Sequence, residues 1–388
     1  MAMYDVGIVG FWYGKNYGSI LTYYSLYKFI EEKGYTCLLI NKPLNLWDDS
    51  FYEKETLANR FFIREKCNRS RIRRDDGDWR DLNNFCDSFM CGSDVVWKYT
   101  LPAKIGFHFF LDFVWNDKKK ISYASSFGGD WKGNSTETRL ANYYLRKFDY
   151  LSCRESEGTQ ILRDFFGVRA SQVLDPVFLP NYSLYYDLAS KANFKVPEHY
   201  ICSYVLGPGK NKRDMLVSLQ KLMGNISLIN MVNAGNESKC TSLLGLETVN
   251  GIDVEDWLRI IKDCSIYIGD SFHGICFSII FRKKFILIRN RVSPSKCRFD
   301  TLLNICGLEN RSIYSDEDIK ERPDLLEEID YDEVYKKIKP FITNSKEFLS
   351  KALSSHKTLH ISDYDVLLDK YIKLENEFIK LRNIIESE

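Results

Sequence analysis

Short apolar runs of strand length alternate along this chain with segments whose apolar positions recur every three or four residues. Val6-Gly7-Ile8-Val9 reads as a buried strand. The segment 20–33 carries Ile20, Tyr24, Tyr27 and Ile30 at helical spacing, and Gly34 supplies a stop. Strands are predicted at 36–40, 88–91, 121–124 and 150–153, and helices at 137–147 and 155–166. The alternation restarts after Pro197, with strands at 200–206, 226–231, 265–268 and 285–288 and helices at 212–223, 254–264 and 273–281. Strands alternating with helices predict parallel sheets covered on both faces. The fold class is therefore α/β. Two such series predict two domains, 1–185 and 195–330, joined by a polar, proline-bounded linker near Asn181 to Pro197.

The character changes after residue 330, and 331–388 reads as a helical tail, with one helix over 330–353. Leu367, Tyr371, Leu374, Phe378, Leu381 and Ile385 then follow a 4-3-4-3-4 spacing, a heptad seam of three repeats. Such a seam can dock on the body of its own chain or join two copies as a homodimer. The segment from Ile361 onward is more acidic than basic, which suits an anionic membrane poorly.

Composition narrows the classes. The 54 basic and 53 acidic residues of the 388 nearly cancel, which argues against a dedicated nucleic-acid binder. The 11 cysteines are scattered without a C-x-x-C pair, so reduced thiols in a cytoplasmic protein are expected, with neither a disulfide framework nor a metal site. The start of the chain shows no signal peptide, and no apolar run approaches the roughly 20 residues of a membrane span.

Five segments could carry chemistry. Gly10 to Ser19 leaves a strand and enters a helix, and its Asn16 and Gly18 stand where free N–H groups suit a phosphate or carboxylate, or simply form a tight turn. In Gly92-Ser93-Asp94, Ser93 and Asp94 could hold a sugar hydroxyl and Trp97 could stack on a sugar; alternatively Asp94 is a cap and Trp97 is core. Arg154, between a strand and a helix, could grip an anion with two prongs, or pair with Asp94, Glu155 or Asp175. Within Gly269 to Gly274, His273 opens a helix and can exchange a proton near neutral pH; the alternative is a buried, hydrogen-bonded spacer. Finally, Arg60, Arg64, Lys66, Arg69, Arg71, Arg73 and Arg74 form a basic patch that could meet anionic headgroups or a lipid diphosphate, or be solvated.

In order, these segments resemble the polysaccharide pyruvyl transferase family from Val6 to about Asn310. The matching stretches are Asn16-Tyr17-Gly18, Gly92-Ser93-Asp94 with Trp97, and residues 121–128 from Ile121 through Ser126 to Gly128. Arg154-Glu155, Asp175-Pro176, Asp270-Ser271-Phe272-His273-Gly274, and Arg298 before Leu302-Leu303 and Gly307-Leu308 complete the set.

The resemblance implies two Rossmann-like domains of glycosyltransferase-B type with the active site in the cleft. It implies phosphoenolpyruvate as donor, a sugar of a capsule or cell-wall precursor as acceptor, a pyruvyl ketal as product and no cofactor. The expected catalytic residues are His273 as acid, Arg154 as anion clamp and Asp94. The expected substrate-binding residues are Asn16, Gly18, Ser93, Ser126, Ser271, Gly274, Lys296 and Arg298. Some relatives carry arginine where this chain has Ser271, so Lys296 and Arg298 are the candidates for that charge. The acceptor could be lipid-diphosphate-linked, met at the inner membrane surface by the basic patch. Two other functions share the architecture: a nucleotide-sugar glycosyltransferase and a non-catalytic glycan-binding subunit.

Overall fold

The structure is a computed structural model that describes residues 2–41, 56–73, 79–290 and 296–357, and of 370–381 all but 373, 376, 379 and 380. Two parallel sheets organise it. The first has the order β2-β1-β3-β4, from β1 (Tyr4–Val9), β2 (Cys37–Leu39), β3 (Cys86–Cys91) and β4 (Lys119–Ser122). Val6 stands opposite Cys37 on one side and Ser88 on the other. Two short strands, β5 (Ser152–Cys153) and β6 (Ser171–Gln172), pair with each other, and single bridges from Ile121 to Tyr150 and from Ser125 to Cys153 stitch β5 to the β4 edge.

The second sheet has the order β11-β10-β9-β7-β8, from β7 (Tyr200–Tyr204), β8 (Ser227–Met231), β9 (Ile266–Gly269), β10 (Phe285–Ile288) and β11 (Ser312–Ile313). β7, β9 and β10 are wholly buried, as expected of parallel strands covered by helices on both faces. In such sheets ligands gather outside the carboxyl ends of the strands. Residues 10–19, 92–94, 123–128, 154–155, 173–175 and 270–273 all follow directly on strand ends.

The segment expected to be a linker is not simply one. It contains the helix Ser183–Ser190, whose Tyr185, Leu188 and Ala189 are buried at i, i+3 and i+4. One apolar core runs through both halves, joining Tyr17 and Tyr24 of the first to Trp257 and Phe277 of the second.

The helix Tyr331–Ser354 starts on the second half and ends on the first. The Tyr331 hydroxyl donates to the carbonyls of Ser278 and Lys283, Leu174 N–H donates to Ser345 Oγ at 2.9 Å, and Lys119 Nζ donates to the carbonyls of Leu353 and Ser355. Beyond it, Ile372 is buried against the first half and Glu375 pairs with Arg139. Four of the heptad residues, Tyr371, Leu374, Phe378 and Leu381, are exposed; Leu367 and Ile385 lie outside the described residues. Docking of this segment therefore uses the side of the helix next to the heptad stripe.

Candidate active site

The helix Tyr17–Glu32 is buried along nearly its whole length, and three small hydroxyls recur on it every three residues: Ser19, Thr22 and Ser25. Buried hydroxyls need partners. Ser19 Oγ donates to Asp94 Oδ2 at 3.1 Å, Thr22 Oγ1 donates to Asp175 Oδ1 at 3.3 Å, and Ser25 Oγ meets the Tyr185 hydroxyl at 2.6 Å. The helix thus faces the strand ends with a polar stripe, and His273 from the second half closes on the same stripe. His273 Nε2 lies 2.8 Å from Thr22 Oγ1 and 3.4 Å from Asp175 Oδ2.

Asp175 is fully enclosed and joins the two halves of the site. Its Oδ2 accepts from Arg154 Nη1 at 2.9 Å and from Ser93 Oγ at 3.2 Å, while Oδ1 also accepts from the Val177 N–H at 3.2 Å. Burial pushes its carboxyl pKa up, but the charge and hydrogen bond of His273, together with those of Arg154, outweigh this and hold it well below the usual carboxylate range. Asp94 shows the same balance: burial raises its pKa, and Arg154, His273, Arg298 and the Val95 N–H bring it below the ordinary value. Asp94 has φ 85°, a conformation that turns its carboxylate back onto the Val95 N–H at 2.9 Å and toward Arg154 Nη2 at 3.7 Å.

Arg154 therefore pairs with all three of the carboxylates the sequence offered, since its Nε also donates to Glu155 Oε1 at 3.1 Å. Burial alone would lower its pKa; Glu155, Asp175 and Asp94 raise it, so the guanidinium stays charged. Even so, its Nη2 is buried without a hydrogen-bond partner. Arg298 shares this condition. Its Nε is buried and unpartnered, and burial followed by repulsion from Arg154 lowers its pKa. Both guanidinium groups sit over the Phe272 ring, at 4.6 Å for Arg154 and 5.7 Å for Arg298. Two like charges held together, each with an unsatisfied donor, are groups that an anion would satisfy.

The other sequence candidates take up supporting positions. Asn16 caps the helix Tyr17–Glu32 by accepting from Ser19 N–H, and Ser271 caps the helix Phe272–Ile280 by accepting from Gly274 N–H. Ser126 donates to Glu155 Oε1 at 2.8 Å. Gly274 makes room for the Tyr267 hydroxyl, which a Cβ would meet at 1.9 Å, and Gly18 makes room for His273, whose Nδ1 would be 2.3 Å from a Cβ. Gly10 and Gly92 instead flank the Tyr23 ring, whose hydroxyl donates to the Ser93 carbonyl. Asp270 accepts from the Leu206 and Gly207 N–H groups and from Lys212, tying the loop after β7 to the end of β9. The Lys296 side chain lies outside the described residues.

Two alternatives left open by the sequence are decided. Trp97 is core: it is buried, its Nε1 donates to the Phe109 carbonyl at 3.0 Å, and it packs on Phe110, Phe127 and Phe148. Most of the described basic patch is engaged by protein acceptors. Arg60 and Arg64 reach across to Asp253 and Glu255 of the second half, Arg69 donates to Asn59, and Arg71 and Arg73 pair with Asp81. Arg74 lies outside the described residues. Thr22 was missed by motif reasoning, although its place on the small-hydroxyl stripe is visible in the sequence.

The family model for polysaccharide pyruvyl transferase matches residues 16–291, well over half of the chain and the span that contains the carboxylates, Arg154 and His273. The chain belongs to the polysaccharide pyruvyl transferase family. No curated protein matches it significantly. Among solved structures, it is similar to a UDP-GlcNAc 2-epimerase from Neisseria meningitidis bound to UDP-GlcNAc, with TM-score 0.57, 9% identity, and 91% of this chain and 99% of that chain covered. It is also similar to a glycosyltransferase from Rickettsia africae, with TM-score 0.56, 12% identity, and 92% of this chain and 100% of that chain covered. The fold is thus of the glycosyltransferase-B type, two Rossmann-like halves with a helical C-terminal region. Among the described residues no helix is long and apolar enough to cross a membrane.

Proposed function

We propose that this transferase moves the pyruvyl group of phosphoenolpyruvate onto two hydroxyls of a glycan precursor, forming a ketal. The observation that carries the reading is the pair of unsatisfied buried donors, Arg154 Nη2 and Arg298 Nε, placed over Phe272 beside the proton-exchanging His273. A small, highly charged anion with a carboxylate and a phosphate fits such a site.

The chemistry balances with these groups. His273 gives a proton to the methylene carbon; the C=C π bond breaks, a C–H bond forms and C2 becomes cationic. One sugar hydroxyl adds to C2, and its proton passes to Asp94 or solvent. The C2–O bond to phosphate then breaks, regenerating a cationic C2 that the second hydroxyl captures. Of the two hydroxyl protons released, one replaces that given by His273 and the other leaves with phosphate. The arginines hold the donor's negative charge throughout, and Asp94, kept ionised by Arg154, His273 and Arg298 against its own burial, is the acceptor-side carboxylate.

Isothermal calorimetry with phosphoenolpyruvate and, separately, with uridine and guanosine diphosphate sugars tests the reading. Saturable binding of phosphoenolpyruvate and phosphate release with a lipid-linked glycan are expected. Binding of a nucleotide sugar alone would replace this function with glycosyl transfer.

A further inference from the structure

The Thr22 hydroxyl has one hydrogen, and it lies between two acceptors. Asp175, ionised, can only accept, and Thr22 Oγ1 donates to its Oδ1 at 3.3 Å. The contact of Thr22 Oγ1 with His273 Nε2 at 2.8 Å therefore needs its hydrogen from the ring. The second oxygen of the same carboxylate stands 3.4 Å from Nε2, which suits an N–H and repels a lone pair. The Nδ1 edge of the ring packs against Gly18, filling the room that the absent side chain leaves; a Cβ there would lie 2.3 Å from Nδ1.

We propose that Asp175, acting with Thr22, is a positioning residue that fixes neutral His273 as its Nε2–H tautomer and makes Nδ1 the nitrogen that carries the labile proton. The role of that proton rests on the pyruvyl-transfer reading; the tautomer does not. In the protonation step Nδ1–H breaks as the methylene C–H forms, and Nε2–H stays in place, donating toward Thr22 and Asp175. The same carboxylate holds Arg154 at 2.9 Å, so the acid and the anion clamp are set relative to each other by one side chain.

Among the described residues, the carboxylates of Asp175 and Asp94 act on His273; Arg154 acts on both of them, Arg298 on Asp94, and Asp175 on Cys276 one turn along the His273 helix. Removing the Asp175 charge withdraws the nearest anion from the imidazolium. It also removes the acceptor that selects the Nε2–H form.

The experiment uses the full chain. Nitrogen-15 NMR of the ligand-free protein, with His273→Gln identifying the signal, should show Nε2 protonated and Nδ1 with the lone pair above the titration; the opposite tautomer overturns the proposal. Asp175→Asn, whose amide can donate as well as accept, should give a mixture of both tautomers in the same spectrum, whereas a ring still wholly Nε2–H overturns the proposal. Should Asp175→Asn fail to fold, Thr22→Val keeps every charge. It should cut kcat roughly 10- to 100-fold with donor KM within about threefold, and an unchanged kcat counts against the proposal. Nε2–H without phosphoenolpyruvate turnover would end the functional reading and leave the tautomer standing; turnover with Nδ1–H would do the reverse.

Discussion

Arg298 tests the anion site without dismantling the fold. Replacing Arg154 would leave Asp94, Glu155 and Asp175 buried around a missing cation, and breaking a buried pair in that way costs about 3–5 kcal/mol. Arg298 is different. Its Nε is unsatisfied, repulsion from Arg154 acts on it more strongly than the attraction of Asp94 or Glu155, and its side chain lies against the Phe272 and Phe299 rings, with the guanidinium carbon 5.7 and 5.4 Å from their centres. Methionine keeps that apolar contact and removes the repulsion. In Arg298→Met the ligand-free protein should therefore unfold at the wild-type temperature or above. Binding of phosphoenolpyruvate should weaken by about 1.5–3 kcal/mol, the worth of a charge-assisted hydrogen bond, or roughly 10- to 150-fold in Kd. Differential scanning calorimetry and isothermal titration on the same preparation measure both. A destabilised variant with unchanged affinity would return Arg298 to a structural role and refute the two-arginine site.

Arg154→Ala, by contrast, should lower thermal stability by several degrees in the same scan; a melting temperature equal to wild type would mean that its three carboxylates are not the burden their burial implies. Gly18→Ala should push the His273 ring from its place, costing about 1–3 kcal/mol of stability and most of the phosphate-release rate; near-normal turnover would show that the position of the ring against Gly18 is not needed for the reaction. Asp94 and Asp175 have pKa values below the ordinary carboxylate value of about 3.9, because nearby cations outweigh their burial. Their stabilisation is complete above that value and is lost as pH falls toward the lower folded values, so unfolding temperature should drop steeply below about pH 4. The drop should be shallower in Asp175→Asn, and identical slopes would mean that this carboxylate is not coupled to folding.

Periodicity located the long elements well because each presents several turns or a full apolar run: the helix Tyr17–Glu32 and the strands β7 and β10 are examples. It drew β5 two residues too long, and it could not show β6 and β11, which are two residues each and exist only because a neighbouring strand end offers them hydrogen bonds. The helix Ser183–Ser190 hid behind flanking prolines and a mixed polar and aromatic sequence, although Tyr185, Leu188 and Ala189 already mark one face. The site divides in the same way. Arg154 and His273 stand out as charged or titratable residues at strand ends. That Arg154 takes three carboxylates rather than one depends on three chain segments converging, which spacing does not encode. Thr22 was legible after all: Ser19, Thr22 and Ser25 form a three-residue period of hydroxyls on a helix apolar elsewhere, and a buried hydroxyl stripe implies buried partners.

That His273 and Arg154 come from different halves raises the question of what fixes their distance. The proposed donor, phosphoenolpyruvate, is small and makes few contacts with which to draw two domains together, so under that proposal a preformed site is the expectation. The contacts between the halves are of that kind. Tyr17 stacks on Trp257 at 5.9 Å and donates its hydroxyl to the Ile252 carbonyl, next to Gly18 and about one and a half turns of helix from Thr22. Arg60 and Arg64 bind Asp253 and Glu255 at the start of the helix that carries Trp257. The helix Tyr331–Ser354 then ties Ser278, on the helix that opens with His273, to Leu174, the residue beside Asp175. Each tie touches an element that bears a site residue. The His273–Asp175 contact is thus held by apolar packing and ion pairs around it, and the geometry that selects Nδ1 exists before any ligand arrives.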